Sequence, residues 1–78
     1  MMNCKEEFLK HTKGREILCA SLQRGFPTFG RTLYFLPKDF SEKDYQTFLQ
    51  DIDFEYDSYS CQSKVFGIIW YKDGTRNS

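Results

Sequence analysis

Two groups of residues in this 78-residue chain have the types and spacing that chemistry would need. The first is the acidic run Asp51, Asp53, Glu55 and Asp57, which alternates with Ile52, Phe54 and Tyr56. Carboxylates at that spacing suggest a divalent-cation loop or a general acid/base pair. A calcium loop opening at Asp51 needs glycine at its sixth place and glutamate at its twelfth, where Tyr56 and Gln62 stand, so the motif fails. Acid/base work needs a cleft and a partly buried carboxyl, and a solvated ladder provides neither. The second group is Cys4 with His11, the only histidine. Seven residues apart on one helix, they share a side but lie two turns apart, beyond hydrogen-bond reach for a nucleophile pair. The chain holds no Gly-rich phosphate loop, no G-x-S-x-G, no H-E-x-x-H and no C-x-x-C. No catalytic residue, metal ligand or cofactor is therefore expected.

Binding chemistry has two candidate surfaces. Lys64 to Tyr71, KVFGIIWY, matches the RNP1 pattern of RNA-recognition motifs at Lys64, Phe66, Gly67 and Tyr71, with Ile69 conservative for valine. Aromatic rings on an open sheet face stack bases while a cation meets phosphate, so Tyr34, Lys64, Phe66 and Trp70 form a candidate single-strand nucleic-acid face. Val65 replaces the motif glycine, however, Ile68 replaces the main stacking aromatic, and no helix and strand follow. Phe66, Ile68 and Trp70 on one side of a strand, with Val65, Ile69 and Tyr71 on the other, are more simply a core strand. The other surface is the acidic run with its tyrosines, namely Asp51, Asp53, Glu55, Tyr56, Asp57 and Tyr59, a combination suited to a protein interface.

The elements that position these residues follow from local pattern. Asn3 can cap a helix over about Cys4 to Lys13, with Glu6 and Glu7 in its first turn and Gly14 as its stop. EILCASLQ, Glu16 to Gln23, reads as a strand, RGFPTFG as a loop, and RTLYFL, Arg31 to Leu36, as its hairpin partner. Phe26 and Phe29 in that loop are expected to fold over one end of the core. Beyond Pro37, Ser41 caps a second helix with Asp44 at the reciprocal position, and Tyr45, Phe48, Leu49 and Ile52 form its apolar stripe. From Ile52 the period becomes two, predicting a strand to Tyr56 with its carboxylates outward, which also discourages edge-to-edge association. Ser58 to Ser63 turns the chain into the Lys64 strand, and Asp73-Gly74 predicts a type I′ turn followed by a stub. The chain is thus one domain over residues 1–78, α+β and two-layered. Two helices pack on an antiparallel sheet of three to four strands in the order αββαβ(β), with the Lys64 strand in the middle beside the Arg31 strand.

Composition bounds the environment. Formal charge is zero but uneven, with +4 over residues 1–38, −6 over 39–57 and +2 over 58–78, so there is no general pull on nucleic acid. Mean hydropathy is −0.62, no apolar run approaches the ~20 residues of a membrane span, and the first ten residues, MMNCKEEFLK, lack an apolar signal core. Cys4, Cys19 and Cys61 make an odd, widely spaced set, expected as small buried hydrophobes rather than a disulfide framework. A cytoplasmic location without membrane association follows as the expectation.

The segment Asp53 to Asp57, DFEYD, followed by Phe66, Gly67, Ile69, Trp70, Asp73, Gly74 and Thr75, resembles a group of short bacterial and phage proteins without an assigned activity. That group carries DFEYD and then FGxIWxxDGTW. The likeness covers about the last third of the chain, and Arg76 stands where the group tends to have tryptophan. It implies no reaction. Together with the absence of catalytic motifs, it frames the expectation of a non-enzymatic protein-binding module. Such a module would be a phage or mobile-element accessory factor that occludes a host protein through the acidic and aromatic face, with single-stranded nucleic acid as the alternative partner.

Overall fold

A computed structural model of the chain describes residues 2–26, 30–56 and 65–77. In chain order the elements are β1 (Met2–Asn3), α1 (Cys4–Thr12), β2 (Ile17–Phe26), β3 (Gly30–Leu36), α2 (Glu42–Asp51), β4 (Glu55–Tyr56) and β5 (Val65–Tyr71). The helices begin where local chemistry puts them. Asn3 Oδ1 accepts the Glu6 amide at 3.1 Å, satisfying a donor the helix itself cannot pair, and Gly14 leaves α1 at φ 74°. Ser41 and Asp44 exchange side-chain-to-amide bonds, each of 3.1 Å, as a capping box for α2. Phe8 of α1 meets Phe48 of α2 edge-on at 5.3 Å, joining the two helices into one layer.

That layer covers one face of an antiparallel sheet ordered β3-β2-β5, so the expected two-layer α+β arrangement is the one found. Its core rows run straight across the strands. Leu36, Ala20 and Ile69 form one row and Tyr34, Leu22 and Gly67 the next, all on the helix side. Leu36, Ala20, Ile69 and Ile52 are essentially fully buried. Gly67 leaves room for Leu22, since a Cβ there would meet Leu22 Cδ2 and that methyl group would have to move aside. A bulge at Leu18 shifts the register of β2, so that Ile17 pairs Tyr71 while Cys19 pairs Trp70. The extra residue turns Ile17 to the helix side, where it is buried beside Tyr71.

Four expectations are corrected. The middle strand is β2, not the Lys64 strand, and β5 lies beside β2 rather than beside the Arg31 strand. Arg24, Gly25 and Phe26 continue β2 instead of forming a loop, through pairs as far as Phe26 with Gly30. The lid expected of Phe26 and Phe29 rests on side chains outside the described residues. No strand runs from Ile52 to Tyr56 either: Ile52 caps the C-terminus of α2, and only Glu55 and Tyr56 are extended, paired with Asn3 and Met2. Helical packing wins at Ile52 because the same side chain ends the stripe of α2. Finally, the Asp73-Gly74 turn is not type I′, because only Gly74 is left-handed, at φ 90°. Gly74 N–H bonds Tyr71 C=O and Tyr71 N–H bonds Thr75 C=O, making a three-residue connection with Gly74 in the left-handed place.

The residues after that turn form the stub. Trp70 bridges Arg76, Asn77 N–H donates to Ile69 C=O at 3.1 Å, and the Asn77 side-chain carbonyl accepts the Ile69 amide. A polar clasp then locks the hairpin to the α1–β2 connection. The Arg15 guanidinium lies 3.4 Å from the centroid of the Tyr71 ring, Nη2 donates to Thr75 Oγ1 at 2.6 Å, and Asp73 is 3.6 Å away. Among the described residues no helix is long and apolar enough to cross a membrane.

Leu33 and Leu36 test the face assignment on one strand. Leu36→Ala is expected to cost about 2–5 kcal/mol in urea unfolding and Leu33→Ala no more than about 0.5 kcal/mol. Equal costs would mean that both faces of β3 are covered. The clasp predicts a pH effect. Hydrogen bonds from Thr75, and then the Arg15 charge, hold the Asp73 carboxyl below its usual range. A depressed folded-state value contributes stability above the ordinary carboxylate pKa, and that contribution is lost as pH falls through the folded value. Asp73→Asn should therefore flatten the acid limb of a thermal-melt pH profile below about pH 4 and leave its slope near neutrality unchanged.

Candidate functional site

With both helices on one side, no element among the described residues covers the other face of the sheet, the open face. Alternation along β3 puts Leu33 and Phe35 there, and they are 63% and 57% exposed. Cross-strand register extends the patch: Phe35 lies opposite Ser21, Ser21 opposite Ile68, Leu33 opposite Gln23, and Cys19 opposite Trp70. Ile68 and Trp70 are half-buried, as are Cys19, Ser21 and Gln23 along the middle strand. The described side chains of this face thus comprise four large apolar groups flanking an uncharged polar stripe. Exposed leucine and phenylalanine side by side on a sheet leave apolar area in water that a partner could cover.

Of the expected nucleic-acid face, Tyr34 and Trp70 are the members whose side chains are described, and they stand on opposite faces of the sheet. Tyr34 stands on the helix side, its ring 5.7 Å from that of Phe54, while Trp70 lies on the open side. Opposite faces of the sheet carry the two, so they cannot stack consecutive bases on one platform. The side chains of Lys64 and Phe66 lie outside the described residues, although the Phe66 backbone pairs with Gln23 on β5. Among the described side chains of the open face none is basic, while Arg31, which shares the alternation of Leu33 and Phe35 on β3, has a side chain outside the described ones.

The acidic residues with described side chains stand in different local settings. Asp51 is exposed in the last turn of α2, and Glu55 is exposed on β4. Asp53 is occupied structurally: its Oδ1 accepts Asn3 Nδ2 at 3.0 Å, its Oδ2 lies 3.9 Å from Lys5 Nζ, and the neighbouring Phe54 carbonyl accepts the Cys4 amide at 3.0 Å. Asn3 therefore caps α1 with its oxygen and holds the segment after α2 with its nitrogen. Tyr56 contributes backbone to β4, and its side chain, with Asp57 and Tyr59, lies outside the described residues.

A second feature lies where α1 meets the outer side of β5. A cleft of about 190 Å³ opens there, with buried Cys4, Phe8, Leu22 and Ile69 in its wall. Glu7, His11 and Asn77 supply the polar part, and Gly67 presents bare backbone. Glu7 Oε1 and His11 Nε2 are 3.3 Å apart, one helical turn from each other. Burial, reinforced by the Glu7 charge, pushes the Cys4 thiol up to about 11, so near neutrality it is a protonated wall group rather than a nucleophile.

Sequence reasoning missed Leu33 and Phe35. The signal was present in RTLYFL, where Leu33 and Phe35 are as apolar as Tyr34 and Leu36 on the opposite side. Two short helices can cover only one of those sides. No family model matches the chain, and no curated protein or solved structure matches it.

The protonated thiol makes a chemical prediction. At pH 8 in native buffer, alkylation of Cys4 should be at least about 100-fold slower than that of an unperturbed thiol, and unfolding should remove the difference. Peptide mapping after timed iodoacetamide treatment reads this directly. Rapid native labelling of Cys4 would show an accessible thiolate.

Proposed function

We propose that the chain is a non-enzymatic, cytoplasmic protein-binding module whose partner protein covers the open face of the sheet with an apolar, uncharged surface. The observation that carries this reading is the exposure of Leu33 and Phe35 beside half-buried Ile68 and Trp70, the described side chains between them being uncharged. Covering such a patch returns apolar area from water, and aromatic groups at its centre are the usual energetic anchors of an interface. The free thiols of Cys4 and Cys19 accord with a reducing compartment. A protein that binds through a sheet face without offering a reactive group acts on its partner by steric occlusion. That mode suits the phage or mobile-element accessory role expected from the resemblance.

The face, rather than the acidic residues, is the part tested. Leu33→Asp with Phe35→Asp should reduce affinity for the captured partner by about 30-fold or more, since charges placed at an apolar interface centre cost roughly 2 kcal/mol or more. Glu55→Lys with Asp57→Lys should leave capture intact, and circular dichroism should show both double variants folded. Undiminished capture by the Leu33/Phe35 variant would remove the open face as the site. Salt-sensitive quenching of Trp70 fluorescence by mixed-sequence oligonucleotides would replace the protein partner with single-stranded nucleic acid.

A further inference from the structure

The outer edge of β5, beside the cleft on the helix side of the sheet, lies apart from the open face. The stub Thr75–Asn77 already runs antiparallel along that edge. Ile69 donates its amide to the Asn77 side chain and accepts the Asn77 amide, and Tyr71 donates to Thr75. In an antiparallel strand the backbone groups of alternate residues point to the same side, so the Gly67 N–H and C=O point outward as those of Ile69 do. The inner groups of β5 are used by β2. Among the described residues the stub is paired as far as Ile69, and nothing pairs with the outward groups of Gly67.

The side-chain geometry at that position fixes what could arrive. Residues directly opposite in an antiparallel pair place their side chains on the same face, and position 67 belongs to the helix-side row with Leu22 and Tyr34. A residue opposite Gly67 would therefore project toward α1. There the cleft of about 190 Å³ opens, and Gly67 itself contributes no side chain to fill it. An apolar cavity of about 150 Å³ is large enough for benzene, so the cleft has room for one leucine-sized or phenylalanine-sized side chain. The wall is apolar at Phe8, Leu22 and Ile69, and the half-exposed carboxylate of Glu7 is its acidic group. His11, paired with Glu7, is the facing titratable group.

We infer that β5 accepts an extended segment of another protein by strand addition at Gly67, in line with the stub. One apolar side chain of that segment enters the cleft between α1 and β5, and a neighbouring Lys or Arg pairs with Glu7. Backbone bonds to the edge supply the general affinity, while the cleft and the carboxylate supply the selectivity. The site shares no side chain with the open face, so either can be lost without the other.

The experiment is a titration of the ¹⁵N-labelled full chain with capped, threonine-rich peptides of about eight residues, the length of a short edge strand. Their central residue is Leu, Phe or Ala, and their flanking residue is Lys or Asp. Leu or Phe peptides flanked by Lys should shift the amide signals of Gly67, Ile69 and His11, and Ala or Asp peptides should bind at least about fivefold more weakly. Glu7→Lys should remove the preference for Lys over Asp without altering the free spectrum beyond its own helical turn. The inference is overturned if no peptide moves Gly67, if shifts fall only on Ile68 and Trp70, or if Ala and Leu peptides bind alike. It is equally overturned if the Gly67 signal moves with protein concentration alone, which would make a second copy of the chain the occupant.

Discussion

One-sided burial is the constraint from which the rest of this molecule follows. Two helices of nine and ten residues, joined by the contact between Phe8 and Phe48, form a layer that covers a single face of a three-stranded sheet. The row Leu36, Ala20 and Ile69 is pressed against that layer and loses nearly all contact with water. Each large apolar side chain moved there contributes roughly 1.5–3 kcal/mol, which is substantial against the marginal stability of a small domain. The opposite face has no second layer among the described residues. Its apolar residues are what remains when a short chain has placed its helical cover on the other side.

How much of this was legible depends on how far apart in sequence the interacting groups are. The caps at Asn3 and Ser41, the stop at Gly14 and the stripe Tyr45, Phe48, Leu49 and Ile52 involve partners within a few residues, and spacing alone carries them. The alternation along β5 was legible too, with Ile69 and Tyr71 on one side and Ile68 and Trp70 on the other. Which side is covered was not, because both sides are apolar and the deciding helices lie far away along the chain. The neighbour of β5 is likewise a non-local choice. Between Ile52 and Tyr56 two periods overlap, since Ile52 completes a helical stripe while Phe54 packs against Tyr34, and the resulting alternation imitates a strand.

The candidate binding residues show the same division. Acidic residues close in sequence looked like one surface, yet Asp53 is drawn into the anchoring of Asn3 and Lys5 while Asp51 ends a helix. Tyr34 and Trp70 looked like a pair of stacking rings, and strand pleating sends them to opposite sides. Leu33 and Phe35 carried no motif and so drew no attention. Their significance comes from the absence of a covering element among the described residues, which is a property of the whole architecture and has no signature in any short window.

The central position of β2 also shapes how the molecule can assemble. Its pairing with β3 needs only a short reversal of the chain, whereas Ile17 must find Tyr71 across most of the molecule. Ordering a long intervening segment costs more entropy than closing a hairpin, so the β2–β3 ribbon is the easier unit to form first. Until β5 docks, that ribbon presents an unfilled hydrogen-bonding edge along Cys19 to Arg24 together with apolar side chains on both of its surfaces. Docking of the tryptophan strand closes that edge, and so prevents the ribbon from adding a stranger's backbone in its place.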